Sequence, residues 1–418
     1  MTELQPAPQK ATAVEDDELR TMSAGEIAGL VNAGQLSGEE VIQVHLRAVR
    51  ESSDLRAFIT VAEDYAKARA RTRPFGPLAG VPIVPKDMFD TAGTRTTRGS
   101  AVFENRVPRR TAAAVAKLEA AGAIVIGKAN QHEFAWGVTS QNSRWGNVVN
   151  PRRPSRTPGG SSGGNAAALA AGLCTLGLGT DTGGSVRIPS ACCGTVGFKP
   201  SKGKIDLHGC FPLAPSFDTA GLMARSVADC ALAYSVLTGE RIPGPRAHGL
   251  RVGVWRPILQ ADLERWEALG ADLVEVNLPD PEANLSLVFQ VEAALTHRRI
   301  FPAQRARYGP DAQAKWDGAW GVSAMAYDAA RRALRSWRAA VQAELDVDLL
   351  VSPTLGMPIP AASAYEPAIR EDLGRYTRVF SWLTWPAIAI GNLQIGGRSD
   401  TQVLGAALAW EEAAERLT

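Results

Sequence analysis

The feature that most constrains the fold of this chain is a stretch near its middle that is unusually poor in large side chains. Eleven of the 40 glycines lie between Gly159 and Gly197, interspersed with Ser, Thr and Ala. Glycine adopts positive φ without steric cost and lets two backbone segments approach closely. Since the glycines are concentrated here rather than spread along a linker, we expect a region in which backbone groups, not side chains, dominate the surroundings.

The first half of this stretch is a loop that leads into a helix. Residues 159–164 read GGSSGG and precede the helix-forming segment Asn165–Leu173. Such a loop is either a flexible turn or a place where free backbone N–H groups can bind an anion. It also fits G-x-S-x-G, the nucleophile elbow of α/β-hydrolases, around Ser161. An elbow follows a strand, however, and the Pro-rich segment Asn150–Pro158 disfavours one. The order Ser, acid, His also requires a histidine late in the chain, and the last one is His297.

The second half contains a narrow turn built around another serine. Residues 179–189 read GTDTGGSVRIP, so two glycines stand directly before Ser185. This segment is either another tight turn or an oxyanion hole, in which preorganised N–H groups surround the atom where negative charge develops. A phosphate-binding P-loop is excluded, because no G-x-x-x-x-G-K-[ST] pattern occurs.

A lysine upstream of this stretch could supply a base for either serine. Lys86 ends the apolar segment GPLAGVPIVPKD of residues 76–87. It either reaches solvent at a strand end or is desolvated by its apolar neighbours, which would lower its pKa until it can accept a proton. A serine hydroxyl needs such a base to act as a nucleophile. Sequence distance does not exclude His132 and His208, but neither lies in a turn of this kind.

Taken together, these segments resemble the amidase signature family. Residues 157–200, TPGGSSGGNAAALAAGLCTLGLGTDTGGSVRIPSACCGTVGFKP, are similar to the family signature nearly end to end. GPLAGVPIVPKD resembles the segment that supplies the family's lysine, and IGKAN (126–130), EFAWG (133–137) and SFDTAGL (216–222) fit neighbouring segments. The resemblance is strong over about residues 20–240 and weaker beyond them.

The resemblance implies roles for individual residues. Ser185 would be the nucleophile, Ser161 the bridging serine of a cis peptide bond, and Lys86 the base. The other implied site residues are the backbone amides of Thr182, Gly183, Gly184 and Ser185 as the oxyanion hole, Ser162 and Arg187 as supporting residues, and Ala135 and Trp136 as substrate contacts. No metal and no cofactor is implied.

The implied reaction is hydrolysis of a C–N bond through an acyl-enzyme. Lys86 would accept a proton from Ser161, which would accept one from Ser185, and the hydroxyl of Ser185 would attack the carbonyl carbon. The resemblance places Trp136 and Trp145 in the segment that lines the acyl pocket of the family. Trp382 and Trp385 lie in the C-terminal segment and either pack in the core or line the site; lining the site would favour an aryl or otherwise apolar amide or carbamate, with esterase side activity.

Two alternatives to this function stay open. The first is the glutaminase component of a tRNA-dependent amidotransferase, which shares the same three side chains in the family. A shortened C-terminal half and the lack of a basic surface excess argue against it. The second is a binding protein that keeps the fold without catalysis, which the presence of all three side chains disfavours.

Charge and composition exclude several other classes of protein. Lys and Arg number 45 against 43 Asp and Glu, a net charge of +2, which argues against a surface for nucleic acid or anionic lipid. The N-terminus lacks a signal-peptide pattern, and the longest apolar runs, Ala166–Gly179 and Val379–Gly391, are too short for a membrane span. The 5 cysteines and 5 histidines show no metal-ligand spacing. We expect a cytoplasmic monomer or homodimer that acts on a small molecule, with no nucleic-acid or membrane partner.

The secondary-structure pattern indicates an α/β fold. Capping boxes at Ser23 and Ser37 open two helices, and an Ala-rich helix at Thr111–Gly122 precedes the buried-type strand Ala123–Lys128. With the resemblance, this predicts one large domain over residues 21–418, with a signature core at about 76–222. Its sheet would be mixed, mostly parallel and twisted, with helices on both faces, and residues 1–20 would form a flexible tail.

Overall fold

Buried apolar runs and amphipathic helices alternate along the chain. In a computed structural model, which describes residues 15–415, ten strands form one large sheet, and the strands Phe58–Val61 and Gly127–Ala129 pair in a separate two-stranded sheet. The strands are β1 Phe58–Val61, β2 Pro82–Pro85, β3 Ile124–Val125, β4 Gly127–Ala129, β5 Leu176–Asp181, β6 Val196–Lys199, β7 Thr219–Ala224, β8 Arg251–Val254, β9 Asp272–Glu275, β10 Leu349–Pro353, β11 Ala387–Ile390 and β12 Leu393–Gly397.

The helices pack around this sheet. They are α1 Asp16–Thr21, α2 Ala24–Asn32, α3 Gly38–Glu51, α4 Glu63–Ala70, α5 Ala113–Ala120, α6 Gly163–Ala170, α7 Arg187–Cys193, α8 Val227–Thr238, α9 Gln260–Ala268, α10 Ser286–His297, α11 Phe301–Gln304, α12 Pro310–Trp320, α13 Ala324–Glu344, α14 Glu366–Leu373, α15 Thr377–Leu383 and α16 Asp400–Glu415. Short 3-10 turns lie at Ser53–Leu55, Ala101–Phe103, Glu133–Ala135 and Arg305–Arg307.

The large sheet is mixed, which confirms the predicted α/β class. Within residues 15–415 it has 10 strands in the order β3-β2-β5-β7-β6-β11-β12-β10-β8-β9. Parallel pairs lie at its two ends, β3–β2–β5 and β10–β8–β9, whereas the pairs between them are antiparallel. The prediction of a mostly parallel sheet is therefore wrong for the centre. Only two residues, Gly391 and Asn392, join β11 to β12, and parallel strands need a much longer crossover.

Helices cover both faces of the sheet, as predicted. Alternate residues of a strand point to opposite faces. In β10, Leu349 and Val351 join the core beneath α2, α5, α8 and α16, while Leu350 between them joins the core beneath α13 and α15. A third cluster under α3 and α6 covers the same second face near β2 and β7. The sheet thus separates two apolar layers of one α/β domain.

Local helix signals are reproduced closely, with one correction at the N-terminus. The Ser23 and Ser37 capping boxes are both formed. Residues 1–14 lie outside the described part, but the flexible tail predicted for 1–20 is wrong from residue 16 onward, where α1 begins. Leu19 is 2% exposed, and the Arg20 guanidinium donates to the Ala171 carbonyl at 2.8 Å. A single apolar residue in a polar segment gives too weak a pattern to predict such docking.

Two neighbouring parallel strands place the chemically interesting segments at one edge. β2 pairs with β5 through Ile83 opposite Leu176 and Pro85 opposite Leu178. Lys86 follows the carboxyl end of β2, and the turn at residues 182–185 follows the carboxyl end of β5. Because the carboxyl ends of parallel strands meet at one edge, this pairing places Lys86 and the turn that carries Ser185 at the same edge of the sheet. Of the helices at residues 15–415, none is both long and apolar enough to cross a membrane.

Candidate active site

Lys86 is completely buried at the end of β2. Its Nζ donates to Ser161 Oγ at 2.6 Å and to Thr180 Oγ1 at 2.8 Å, and its exposed fraction is 0%. Burial lowers the pKa of Lys86 to about 7, while the nearby Cys210, Asp181 and Asp218 oppose that shift. Of the two alternatives left by the sequence, the structure shows the desolvated lysine. Near neutral pH a substantial fraction of this amine is therefore unprotonated and able to accept a proton.

The loop at residues 159–164 brings the Ser161 side chain to this lysine. The Gly160–Ser161 peptide bond is cis. The carbonyl of Ser161 accepts hydrogen bonds from the His132 amide and from Ser140 Oγ, both at 3.2 Å. The Ser162 amide donates to the Ser185 carbonyl at 3.1 Å, which joins this loop to the turn that follows β5. Lys86, Ser161, Ser162 and Ser185 thus belong to one connected cluster.

His132, which the sequence left open as a base, has other partners. Its Nε2 lies 2.8 Å from Asp311 Oδ2, and its ring is buried. Burial is the main reason that the pKa of His132 is lowered, and the nearby Lys315 adds to the effect. His208 lies in the loop between β6 and β7. Lys86, and not His132, is therefore the basic side chain in contact with Ser161.

The turn after β5 is shaped by a carboxylate that sequence reasoning left without a role. Asp181 Oδ1 accepts the Gly184 amide at 2.8 Å, and Oδ2 accepts the Val186 amide at 3.2 Å. The expectation that all four amides of residues 182–185 form an oxyanion hole is therefore wrong for Gly184, whose N–H is directed at Asp181. Asp181 is the last residue of the apolar strand β5 and precedes Thr-Gly-Gly, a sequence signal for a turn-forming carboxylate.

A fully buried ion pair holds this carboxylate in place. The Arg187 guanidinium contacts Asp181 at 2.8 and 2.9 Å, and both side chains are 0% exposed. Burial by itself would raise the pKa of Asp181, but the charge and hydrogen bonds of Arg187 keep that pKa below its ordinary value. Arg187 thus supports the turn through the carboxylate that shapes it.

Residues from the C-terminal third complete the site, and no motif pointed to them. Thr377 Oγ1 donates to the Gly183 carbonyl at 2.8 Å, and a Cβ added at Gly184, whose φ is +128°, would lie 2.2 Å from Thr377 Oγ1. Arg187 Nη1 donates to Gln394 Oε1 at 2.7 Å and to the Thr377 carbonyl at 2.8 Å. Because these partners are about two hundred residues away along the chain, sequence spacing could not reveal them.

A cleft with room for about 90 Å³ opens over Ser185. The turn contributes Thr182, Gly183 and Ser185 to it, and the substrate-contact residues Ala135 and Trp136 that the resemblance implied also line it. Apolar side chains dominate the remaining walls, among them Ile188, Leu213, Phe217, Phe289 and Trp382. Arg370, Glu371 and Arg378 form a charged rim on one side. The environment suits an apolar group held beside a serine hydroxyl.

The two C-terminal tryptophans have different fates. Trp382 lines the cleft, whereas Trp385 is 7% exposed and packs in the core under α13 and α15. The sequence alone allowed either role for each of them. The difference arises because α15 ends at Leu383, between the two residues, and the chain turns there through Thr384 at a φ of 61°.

Known proteins match this chain over most of its length. The family profile described as Amidase matches residues 46–399. A glutamyl-tRNA(Gln) amidotransferase subunit of Thermus thermophilus is 35% identical over 461 aligned positions, covering 94% of this chain and 98% of the relative. A solved amidase structure is 31% identical with a TM-score of 0.84, covering 94% and 100%. Native peptide amidase from Stenotrophomonas maltophilia is 27% identical with a TM-score of 0.79, covering 94% and 97%.

The fold, the cleft and these matches define a hydrolase of C–N bonds. More particularly, the chain belongs to the amidase signature family. The 461 aligned positions exceed the 418 residues of this chain, so the Thermus relative carries segments that are missing here.

The buried ion pair leads to a stability prediction. Arg187→Met leaves Asp181 as an uncompensated charge in the interior, which costs about 3–5 kcal/mol of unfolding free energy. Urea unfolding followed by circular dichroism measures the loss. Arg305→Met, which removes an arginine from the exposed pair with Asp317, is the control and should leave the urea midpoint nearly unchanged. Equal midpoints for the two variants would show that the buried pair does not hold the turn.

Proposed function

We propose that the protein hydrolyses a small apolar amide or carbamate with Ser185 as the nucleophile. The observation that carries the proposal is the contact of the buried Lys86 amine with Ser161, in a loop whose next residue binds the Ser185 backbone. A serine hydroxyl is a weak nucleophile at its own pKa and needs an adjacent base. A buried lysine with a pKa near neutrality meets that need without a histidine.

The proposed reaction begins with two proton transfers. Neutral Lys86 accepts the proton of Ser161 Oγ, Ser161 accepts the proton of Ser185 Oγ, and Ser185 attacks the carbonyl carbon. Negative charge then develops on the carbonyl oxygen, which the amides of Thr182, Gly183 and Ser185 would stabilise. Ser161 gives its proton to the departing amine and regains one from Lys86, which becomes neutral again. Water then attacks the acyl carbon and passes a proton through Ser161 to Lys86, and that proton returns through Ser161 to Ser185 as the acid leaves.

The walls of the cleft support an apolar substrate. Trp136, Phe217, Phe289 and Trp382 offer aromatic faces and edges, which favour an aryl or alkyl group over a charged one. Aryl amides and aryl carbamates are the substrate classes that combine an apolar group with a scissile C–N bond.

A second candidate function has support of another kind. The curated relatives are named as a subunit of glutamyl-tRNA(Gln) amidotransferase, which favours a glutaminase that works together with partner chains. The rim of the cleft also carries both charges that glutamine would require, since Arg378 is paired with Glu371, which is itself largely exposed. These names support the glutaminase more directly than they support an aryl amidase. The apolar walls are the observation that favours the aryl amide.

We expect each of the three proposed catalytic side chains to be required for activity. Ser185→Ala should reduce kcat/KM by at least about a thousandfold, because it removes the nucleophile. Lys86→Met and Ser161→Ala should each cause a loss of similar order, since the three groups act as a unit. Initial rates on a chromogenic amide measure the effect. Ser235→Ala, a half-buried serine in α8, is the matched control and should retain wild-type rates; an active Ser185→Ala enzyme would refute the assignment.

We also expect the rate of hydrolysis to depend on pH. Protonated Lys86 cannot accept a proton, so kcat/KM should rise with pH and level off above an apparent pKa of about 7, the value to which burial lowers the pKa of Lys86. Burial also raises the pKa of Glu133 to about 7, so Glu133→Gln is the control, and the ascending limb should persist in it. A flat profile between pH 5 and 9, or a limb lost in Glu133→Gln, contradicts the assignment to Lys86.

A comparison of substrates separates the aryl amidase from the glutaminase. The purified chain should hydrolyse benzamide or an aryl carbamate with a kcat/KM at least about a hundredfold above that for glutamine, because the aromatic side chains beside Ser185 favour an aryl group over the polar chain of glutamine. Ammonia release measures the hydrolysis of benzamide and of glutamine alike. Efficient glutamine hydrolysis, or glutaminase activity that appears only when partner chains are added, would establish the second candidate and exclude the first.

A further inference from the structure

One wall of the cleft is a loop whose backbone is held by distant side chains. Residues 136–138 follow a 3-10 turn in which Phe134 and Ala135 have φ values of 51° and 63°. The Trp136 carbonyl accepts a hydrogen bond from Lys315 Nζ at 2.6 Å. The Val138 amide donates to Glu366 Oε1 at 3.1 Å. The two polar groups that flank Gly137 are thus satisfied by side chains from α12 and α14.

At Gly137 this loop packs directly against the imidazole ring of His132. A Cβ at Gly137 would lie 2.4 Å from three atoms of the His132 ring, so only glycine fits here. His132 Nε2 is in turn 2.8 Å from Asp311 Oδ2 and 3.2 Å from Lys315 Nζ. The loop therefore has support at its middle as well as on both sides.

These supporting groups form one charged network, which is buried except at Asp311, whose side chain is 38% exposed. We name His132, Asp311, Lys315 and Glu366 the wall-support cluster. Lys315 Nζ lies 2.5 Å from Asp311 Oδ2 and 3.1 Å from Glu366 Oε2, and the side chains of Lys315 and Glu366 are 5% and 2% exposed. Burying such charges is costly unless each has a partner, so removal of one disturbs the positions of the others.

In the proposed hydrolysis, no residue of the wall-support cluster transfers a proton or binds a substrate atom. The backbone groups that Lys315 and Glu366 bind nevertheless belong to the cleft wall. Trp136, Gly137 and Val138 all line the cleft that opens over Ser185. The same helix α14 that carries Glu366 also brings Arg370 and Glu371 to the cleft rim. The cluster thus links two parts of the cleft wall and fixes the space between them.

We propose that Lys315 and Glu366 are positioning residues that set which acyl groups the enzyme accepts. The inference rests on the proposed function for its kinetic consequence. Because the carbonyl of Trp136 and the amide of Val138 are both held, the indole of Trp136 keeps one position, where an aromatic acyl group packs against it. If either Lys315 or Glu366 is removed, the loop at residues 136–138 shifts. An aromatic acyl group then loses more contact with Trp136 than a small acyl group does.

The first experiment is independent of activity. Hydrogen exchange followed by mass spectrometry should show at least about tenfold faster exchange in a peptide spanning residues 133–142 for Lys315→Met and Glu366→Ala. Asp229→Ala is the matched control, because Asp229 is also a buried carboxylate that accepts a backbone amide, that of Ala24, at 2.8 Å. It should accelerate exchange around residue 24 and leave 133–142 unchanged. Glu366→Gln, which keeps an acceptor for Val138, should have the smaller effect and provides a variant if Glu366→Ala does not fold.

The second experiment measures acyl selection. The 4-nitroanilides of benzoic and acetic acid share a leaving group, so the ratio of their kcat/KM values is independent of the amount of folded enzyme. Lys315→Met and Glu366→Ala should lower the benzoyl-to-acetyl ratio by at least about tenfold, whereas Asp229→Ala should leave the ratio at the wild-type value. A purely structural role would reduce both rates equally.

The two experiments separate the possible failures. An unchanged benzoyl-to-acetyl ratio in active Lys315→Met and Glu366→Ala variants overturns the positioning role. So does hydrogen exchange at residues 133–142 that these variants accelerate no more than exchange in the rest of the chain. If the wild-type enzyme hydrolyses no amide, the proposed function fails, and the exchange experiment then decides by itself whether Lys315 and Glu366 hold the wall.

Discussion

The buried ion pair between Asp181 and Arg187 is the interaction on which the site depends. Neither charge touches water, so each must be compensated by groups of the protein. The carboxylate takes two amides of the turn that carries Ser185, and the guanidinium takes partners from Thr377 and Gln394. The same pair therefore shapes the turn and fastens the C-terminal third of the chain to it.

Exclusion of water governs the rest of the site in the same way. It lowers the pKa of Lys86 to about 7, because the protonated amine loses its hydration. It also requires that the loop behind Trp136 find partners within the protein, and Lys315 and Glu366 supply them. One physical condition, the exclusion of water at this edge of the sheet, thus accounts for the lowered pKa of Lys86 and for the side-chain partners of the wall.

Local patterns revealed the parts of the site that are contiguous in sequence. Two glycines before Ser185, the Gly- and Ser-rich loop at Ser161 and the apolar strand before Lys86 each carry a signal within a few residues. The parts that sequence reasoning missed depend on distance along the chain. Thr180 is a second acceptor for Lys86, and Gly184 directs its amide to Asp181 rather than to a substrate, as only the packed geometry reveals.

The α/β class and the segments that meet at the site could be predicted from the sequence, because glycine placement, capping boxes and apolar periodicity are local features of the chain. The family could be predicted from the resemblance of residues 76–87 and 157–200 to its motifs. The sequence did not reveal that antiparallel pairs occupy the centre of the sheet, that α1 docks through Leu19, or that Trp382 faces the cleft while Trp385 enters the core. The reason is physical: burial and charge compensation are properties of neighbours in space, and the neighbours of Arg187 and Trp136 are about two hundred residues away in the chain.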